Sequence, residues 1–162
     1  MSAPTATGQD LRSAIREPRL RRLYDYWDAA RHGRVFPSRR DIDPLDFPYL
    51  LGNVMLVDVL DDPRRFRVRL HGTNLVARSR YDLTGKLVDE LPFADYRDLT
   101  LKRCRELTAR PRPLWVERDR VLDQRTFRYQ ALWLPFSDDD TSVSMLMCAM
   151  IYEGDRGRGA SL

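Results

Sequence analysis

The sequence predicts an α+β domain, in which one five-stranded antiparallel sheet carries helices on one face and is covered on the other by an N-terminal helix. Three observations lead there. The run Arg65-Phe66-Arg67-Val68-Arg69-Leu70-His71 alternates polar and apolar side chains, the period of a strand with one buried face. Asn53 to Leu60, apart from Asp58, and Val143 to Ile151 are apolar on both faces. Such strands belong in the middle of a sheet covered on both sides, so the first and last strands are predicted to be central neighbours. Helical patterning between the second strand and three later strand-like runs separates the hairpin from the rest of the sheet.

The first helix begins near Asp10 and is interrupted at Pro18, which opens a second helix running to about His32 and stopped by Gly33. Leu20, Leu23, Trp27 and Ala30 share one face of it with Tyr24 beside them, while Arg19, Arg21, Arg22 and Asp25 take the other side. Asp43 is placed to cap a short helix from Pro44 to about Leu51. The Asn53 to Leu60 strand follows, then a turn at Asp61-Asp62-Pro63 and the strand from Arg64 to His71. Short helical pieces fill Thr73 to Pro92. Phe93 to Ala109 reads as one amphipathic helix with Tyr96, Leu99, Thr100, Cys104 and Leu107 inward, stopped by Pro111. The remaining strands are Leu114 to Leu122, Thr126 to Phe136 and Thr141 to Tyr152, joined through Asp123-Gln124 and Ser137-Asp138-Asp139-Asp140.

At 162 residues the chain has the size of one domain. The expected division is a disordered start over 1–9, a helical cap over 10–51, the sheet core over 52–152 and a flexible tail over 153–162. An apolar share of 43% and a charged share of 32% describe a soluble globular protein. No run approaches the roughly eighteen apolar residues of a membrane span, and Met1 to Asp10 has no signal-peptide core, so a cytoplasmic location without membrane association is expected. The net charge is +4, with lysine only at 86 and 102, and the 24 acidic residues are interspersed with the arginines. That mixing argues against a dedicated nucleic-acid surface.

Gly72-Thr73 with Arg69 three residues before the glycine, and the turn Asp82-Leu83-Thr84-Gly85-Lys86, carry a likeness to a known family. They resemble the Arg-x-x-Gly-Thr strand end and Asp-Leu-Thr-Gly-Lys turn of a bacterial PAS-domain family of uncharacterised function. Pro37-Ser38-Arg39 and Asp41-Ile42-Asp43-Pro44 match a further element of that family, and the resemblance runs from about Leu20 to Tyr152. It implies the PAS fold with strand order 2-1-5-4-3, which agrees with the central pair derived from the apolar runs. It also implies a shared role for Arg69, for which pairing with Asp58 or Asp82 is the favoured reading.

A pocket between sheet and helices is where PAS domains that bind small molecules hold them. Candidate lining groups here are Tyr81 and Tyr96 from the helical layer and Arg69, His71, Tyr129, Trp133 and Met147 from the strands. Arg69 and His71 are the polar members, able to orient a carboxylate or phosphate. Most large apolar side chains of a small domain are simply core, and strand parity is not fixed by sequence. Cys104 faintly resembles the thiol of flavin-binding light sensors, but Arg103, Glu106 and Thr108 stand where that motif has other residues. Haem is disfavoured because neither His32 nor His71 falls on the long helix. The cofactor is left unknown. Cys104 and Cys148 have neither zinc-ligand nor disulfide-framework spacing, and no metal site is expected.

No catalytic motif stands in the chain: there is no Gly-x-Ser-x-Gly, no phosphate-cradling loop and no His-Glu-x-x-His. The sequence therefore predicts a non-enzymatic sensor or adaptor that binds a small molecule or protein and signals by contact. Homodimerisation is expected through the helix carrying Leu20, Leu23, Tyr24 and Trp27, which also caps the sheet. The alternative is a nucleic-acid-associated regulator using the arginine-rich segment from Arg16 to Arg40, and Arg39 is expected to clamp the cap by bonding to carbonyls or an aspartate.

Overall fold

A computed structural model describes residues 8–61, 63–122 and 124–154. Of the segments expected to be loose, 1–9 and 153–162, residues 1–7 and 155–162 lie outside this description, as do the turn residues Asp62 and Asp123, while Gly8 and Gln9 belong to the first helix. Helix α1 is Gly8–Ala14, starting two residues before the expected Asp10, and α2 is Pro18–Ala30. Glu17 caps α2 by accepting the Arg19 N–H at 3.2 Å, and Pro18 follows where a missing N–H costs nothing. Gly33, at φ +79°, turns the chain away after it.

Strands β1 (Val54–Leu60), β2 (Arg65–His71), β3 (Leu114–Leu122), β4 (Arg125–Phe136) and β5 (Met145–Tyr152) form one five-stranded sheet in the order β2-β1-β5-β4-β3. Every neighbouring pair is antiparallel. The doubly apolar runs do lie side by side at the centre, with Val54 opposite Ala149 and Asp58 opposite Met145. Helices α3 (Thr73–Ser79) and α4 (Ala94–Ala109) cover one face.

Two separate cores result, one on each face of the sheet. Val54 and Leu56 of β1, Leu132, Leu134 and Phe136 of β4, and Met145, Met147, Ala149 and Ile151 of β5 face the cap. Leu20, Leu23, Tyr24, Trp27 and Ala30 of α2 lie against them, all buried. Each large side chain so covered contributes about 1.5–3 kcal/mol. The Trp27 indole N–H also donates to the Pro135 carbonyl at 2.9 Å, fixing α2 to β4. The opposite parity, including Met55, Val57, Tyr129, Ala131, Trp133, Leu146, Cys148, Met150 and Tyr152, faces the helical layer.

Local expectations change at four places, the first in β2, where a register shift leaves Arg69 without a ladder partner on β1, so that Leu70 is 42% exposed and His71 buried, the reverse of the predicted alternation. Pro44 to Leu51 is not a helix but two 3-10 turns, Pro44–Asp46 and Leu51–Asn53, although Asp43 does cap the first by accepting the Leu45 N–H at 2.9 Å. Pro48 interrupts the run, since it offers no N–H and drives Phe47 from helical geometry. The last strand starts at Met145 rather than Thr141, because one oxygen of the Asp139 carboxylate accepts both the Thr141 and Ser142 N–H groups at 2.9 Å and holds them in a turn. Leu99 is 38% exposed rather than inward.

The family's motif residues prove to be architectural. Gly72 donates its N–H to Val54 at 2.9 Å where the chain before β1 passes directly over it, and a Cβ there would lie 2.4 Å from the Gly52 carbonyl oxygen. In the Asp82–Lys86 turn, Asp82 accepts the Thr84 N–H at 2.9 Å and Gly85 takes φ +82°. Gly85 N–H then donates to the Val68 carbonyl at 2.7 Å, and Val68 N–H to the Lys86 carbonyl at 2.9 Å. The turn is thereby laid along the free edge of β2. In the Pro37-Ser38-Arg39 element the Ser38 hydroxyl bonds Asp138 at 3.1 Å and the Pro37 carbonyl accepts the Ser137 N–H at 3.0 Å. These two contacts tie the cap to the β4–β5 loop. Among the described residues the Arg39 side chain makes a single long bond, 3.4 Å, to the Ile42 carbonyl, and its Nε is buried without a partner.

Candidate ligand-binding cleft

Between the N-terminal half of α4 and the outer strands β3 and β4 lies a cleft of about 980 Å³. The period of two determines its floor: Val116, Arg118 and Arg120 of β3 stand opposite Ala131, Tyr129 and Phe127 of β4, all on the helical side. Tyr129, Ala131, Trp133 and Met150 line the sheet wall, and Phe93, Tyr96, Thr100 and Arg103 the helix wall. Behind it is a second space of only about 20 Å³, room for about one water. His71, Met55, Leu75 and Cys148 line this inner chamber, and Tyr96, Arg120 and Met150 border both spaces.

Arg120 is held at that border. Its guanidinium lies 4.7 Å from the Tyr96 ring centroid and donates to the Tyr152 hydroxyl at 3.0 Å. Arg78 of α3 stacks on the same Tyr152 ring at 4.2 Å. Tyr129 of the floor and Tyr152 of the inner chamber meet with centroids 5.3 Å apart, so an aromatic contact joins the two spaces. Burial pushes the Tyr96 and Tyr129 hydroxyls up from their ordinary values, which keeps both phenols neutral hydrogen-bond donors.

The sequence candidates divide. His71, Tyr96, Tyr129 and Trp133 are brought together around the two spaces. Tyr81 packs edge-on against Phe93 at 5.5 Å, beside the cleft rather than in its wall. Met147 sits on the cap face with Leu134 opposite it, so the sheet itself separates it from the cleft. Arg69 points to solvent and pairs with Asp58 across the hairpin at 2.9 Å, the structural alternative raised by the sequence. Because Arg69 is 53% exposed, Arg69→Ala is expected to cost less than about 1 kcal/mol, measurable by urea denaturation. The cap residues Leu20, Leu23, Tyr24 and Trp27 are each at most 6% exposed in the single chain, so that stripe offers no free dimer face. Arg118, Arg120, Phe93 and Met150 were missed. A signal for the arginines existed: Leu122 opposite Arg125 leaves a two-residue connection, which puts Arg118 across from Tyr129.

His71 is 8% exposed and its Nδ1 accepts the Leu83 N–H at 3.3 Å. Burial lowers its pKa, with Arg120 acting in the same sense and Asp82 against both. The unfolded chain therefore takes up the proton first, and the stability that neutral His71 confers is lost as pH falls through the ordinary value of 6.5. Thermal melts between about pH 7.5 and 5 should show this loss, and His71→Asn, which keeps an acceptor for Leu83, should flatten it; an unchanged slope would assign the effect elsewhere. Cys104, fully buried, has its thiol pushed up to about 12 by burial, and burial likewise raises Cys148, so neither is a thiolate near neutral pH.

The arginines of the N-terminal segment are largely engaged within the chain. Arg12 pairs with Asp25 at 2.7 Å and Arg19 with Glu17 at 2.7 Å, while Arg16 meets Glu117, Arg31 meets Asp28 and Arg34 meets Asp41. Arg22 lies over the Tyr49 ring at 4.2 Å. No helix among the described residues is long and apolar enough to cross a membrane.

The fold is thus an antiparallel sheet whose first and last strands are neighbours, with a helical layer over one face and a cleft beneath it. A family model described as a PAS domain matches residues 15–151, and the chain belongs to the PAS-domain family. Among solved structures it is similar to the PAS domain of BvgS from Bordetella pertussis, with 19% identity, a TM-score of 0.52, and 71% of this chain and 90% of that chain covered. It is also similar to a LOV protein from Rhodobacter sphaeroides at 16% identity and a TM-score of 0.46, over 72% of this chain and 71% of that one. The likeness to the BvgS domain concerns the fold. No curated protein matches the sequence significantly.

Proposed function

We propose that the chain is a non-enzymatic sensor or adaptor domain that takes a small molecule into the cleft between α4 and the β3–β4 strands and signals its occupancy by protein–protein contact. The observation that carries this reading is the cleft itself: about 980 Å³, within the range of ligand sites, walled by rings and bordered by an arginine that two aromatic residues hold in place. PAS domains are in general sensing and signalling modules, which supports the class. Strand β4 supplies a route outward, because Trp133 faces the cleft while the next-but-one residue, Pro135, accepts the bond from Trp27 of the cap. A shift of β4 on binding would reach α2 directly. A cytoplasmic setting and self-association belong to the same proposal, the latter through a surface other than the buried stripe of α2.

Native mass spectrometry and an ultraviolet-visible spectrum of freshly purified protein test it first. Extra mass, or absorption beyond about 300 nm where aromatic side chains no longer contribute, is the expected result. Bare, colourless protein that no member of a broad metabolite panel stabilises in a thermal-shift assay would overturn the ligand-sensing part. It would leave a contact-only adaptor.

A further inference from the structure

We infer that the cleft selects a small organic acid with a flat unsaturated body, its carboxylate directed at Arg118 and Arg120 and its body laid against Tyr129, Trp133 and Tyr96. This rests on the cleft being a ligand site, and it names the ligand's class.

The charges on the walls lead to it. Arg103 is satisfied by Glu106 at 2.8 Å, and Arg128 by Asp119 at 3.0 Å. Glu117 turns away to Arg16 of the cap. Arg118 has neither hydrogen bond nor ion pair among the described residues, and Arg120 has only the neutral Tyr152 hydroxyl and the Tyr96 ring. Two guanidiniums thus stand without a carboxylate on the same face of one strand, about 6.6 Å apart along it. Guanidinium forks match carboxylates in shape as well as charge. Asp95 also lines the cleft, but it occupies the first turn of α4, where the helix N-terminus accommodates a negative charge. Beyond the arginines the cleft is lined by the rings of Tyr129, Trp133 and Tyr96, which favours a planar body over a sugar-like or aliphatic one.

The test uses the full chain and four probes: indole-3-acetate, its neutral counterpart indole-3-acetamide, benzoate and inorganic phosphate. Binding is followed by the indole N–H resonance of Trp133, assigned by its loss in Trp133→Phe. The expected result is that indole-3-acetate moves this resonance and binds about tenfold or more tightly than the amide. Arg118→Gln should abolish that preference without altering the melting temperature, because the Arg118 side chain is exposed and has no partner among the described residues. Equal binding of acid and amide would overturn the anion class while leaving the cleft a ligand site. Phosphate binding as well as the aromatic acids would overturn the planar-body requirement. No shift at Trp133 with any probe at about 5 mM would overturn the assignment outright. A neutral ligand retained by the purified protein would do so as well, yet it would uphold the sensor reading.

Discussion

Gly72→Ala is expected to lower the melting temperature by roughly 6–12 °C, from a loss of about 3 kcal/mol in a domain of this size. The reason is a collision, since Gly72 has φ −58° and ψ 146°, a conformation alanine adopts freely. The added methyl would lie 2.4 Å from the Gly52 carbonyl oxygen and 3.0 Å from the Val54 nitrogen. Both neighbours are backbone, so no side-chain rotation relieves the contact. Gly72 also bonds Val54, so displacing it loosens the start of the β1–β2 pairing. Gly85→Ala provides the control. It has φ +82° and open space around it, and the cost there is the left-handed backbone alone, about 1 kcal/mol. If the two variants melted alike, the close crossing of Gly52 and Gly72 would not be what the Gly-Thr motif protects.

Trp27→Ala should be at least as damaging, at about 3–5 kcal/mol by chemical denaturation. The indole is 3% exposed and fills the space between α2 and the cap face of the sheet. Its removal leaves both a cavity and a Pro135 carbonyl without its donor. Trp27→Phe separates these contributions: it restores most of the volume and loses the bond, so about 1–2 kcal/mol is expected. Deleting the chain up to Gly33 goes further, exposing Leu132, Leu134, Met145, Met147 and Ile151 together, and should yield aggregated protein. A soluble, cooperatively folding truncation would mean that the cap is dispensable to the sheet.

The architecture was readable where the sequence carries a period. Phe66 and Val68 alternate with arginines and point inward as the period predicts, but beyond the register shift at Arg69 the phase reverses, leaving Leu70 42% exposed and His71 buried. The apolar runs of β1 and β5 announced their central position because nothing polar could face solvent from either side. That property also hid which of their residues meets which layer. Met147 and Cys148 are equally apolar, and only the pairing of β4 with β5, Leu134 opposite Met147 and Trp133 opposite Cys148, sends one to the cap and the other to the helical side. The β4–β5 connection is long and turned by Asp139, so its register is not written in a short loop. The β3–β4 register was accessible, but Glu117-Arg118-Asp119-Arg120 is charged at every position, so no period marks which pair faces the helical layer. The importance of Arg118 and Arg120 depends on what α4 brings above them.

The outer strands leave the sheet with two unlike borders. Beside β2 the Asp82–Lys86 turn already occupies the hydrogen-bonding groups, bridging Arg67 to Leu87. Beside β3 no further strand pairs among the described residues, and the run Glu117-Arg118-Asp119-Arg120 presents alternating charges instead. Charges at such a border deter another chain from adding itself to the sheet. With the proposed acid in the cleft, Arg118 and Arg120 would hold two jobs, drawing that acid in and repelling intruding strands. Any variant that empties the cleft of charge with leucine or valine would also make the molecule prone to polymerise strand by strand, whereas glutamine changes the cleft and leaves the border polar.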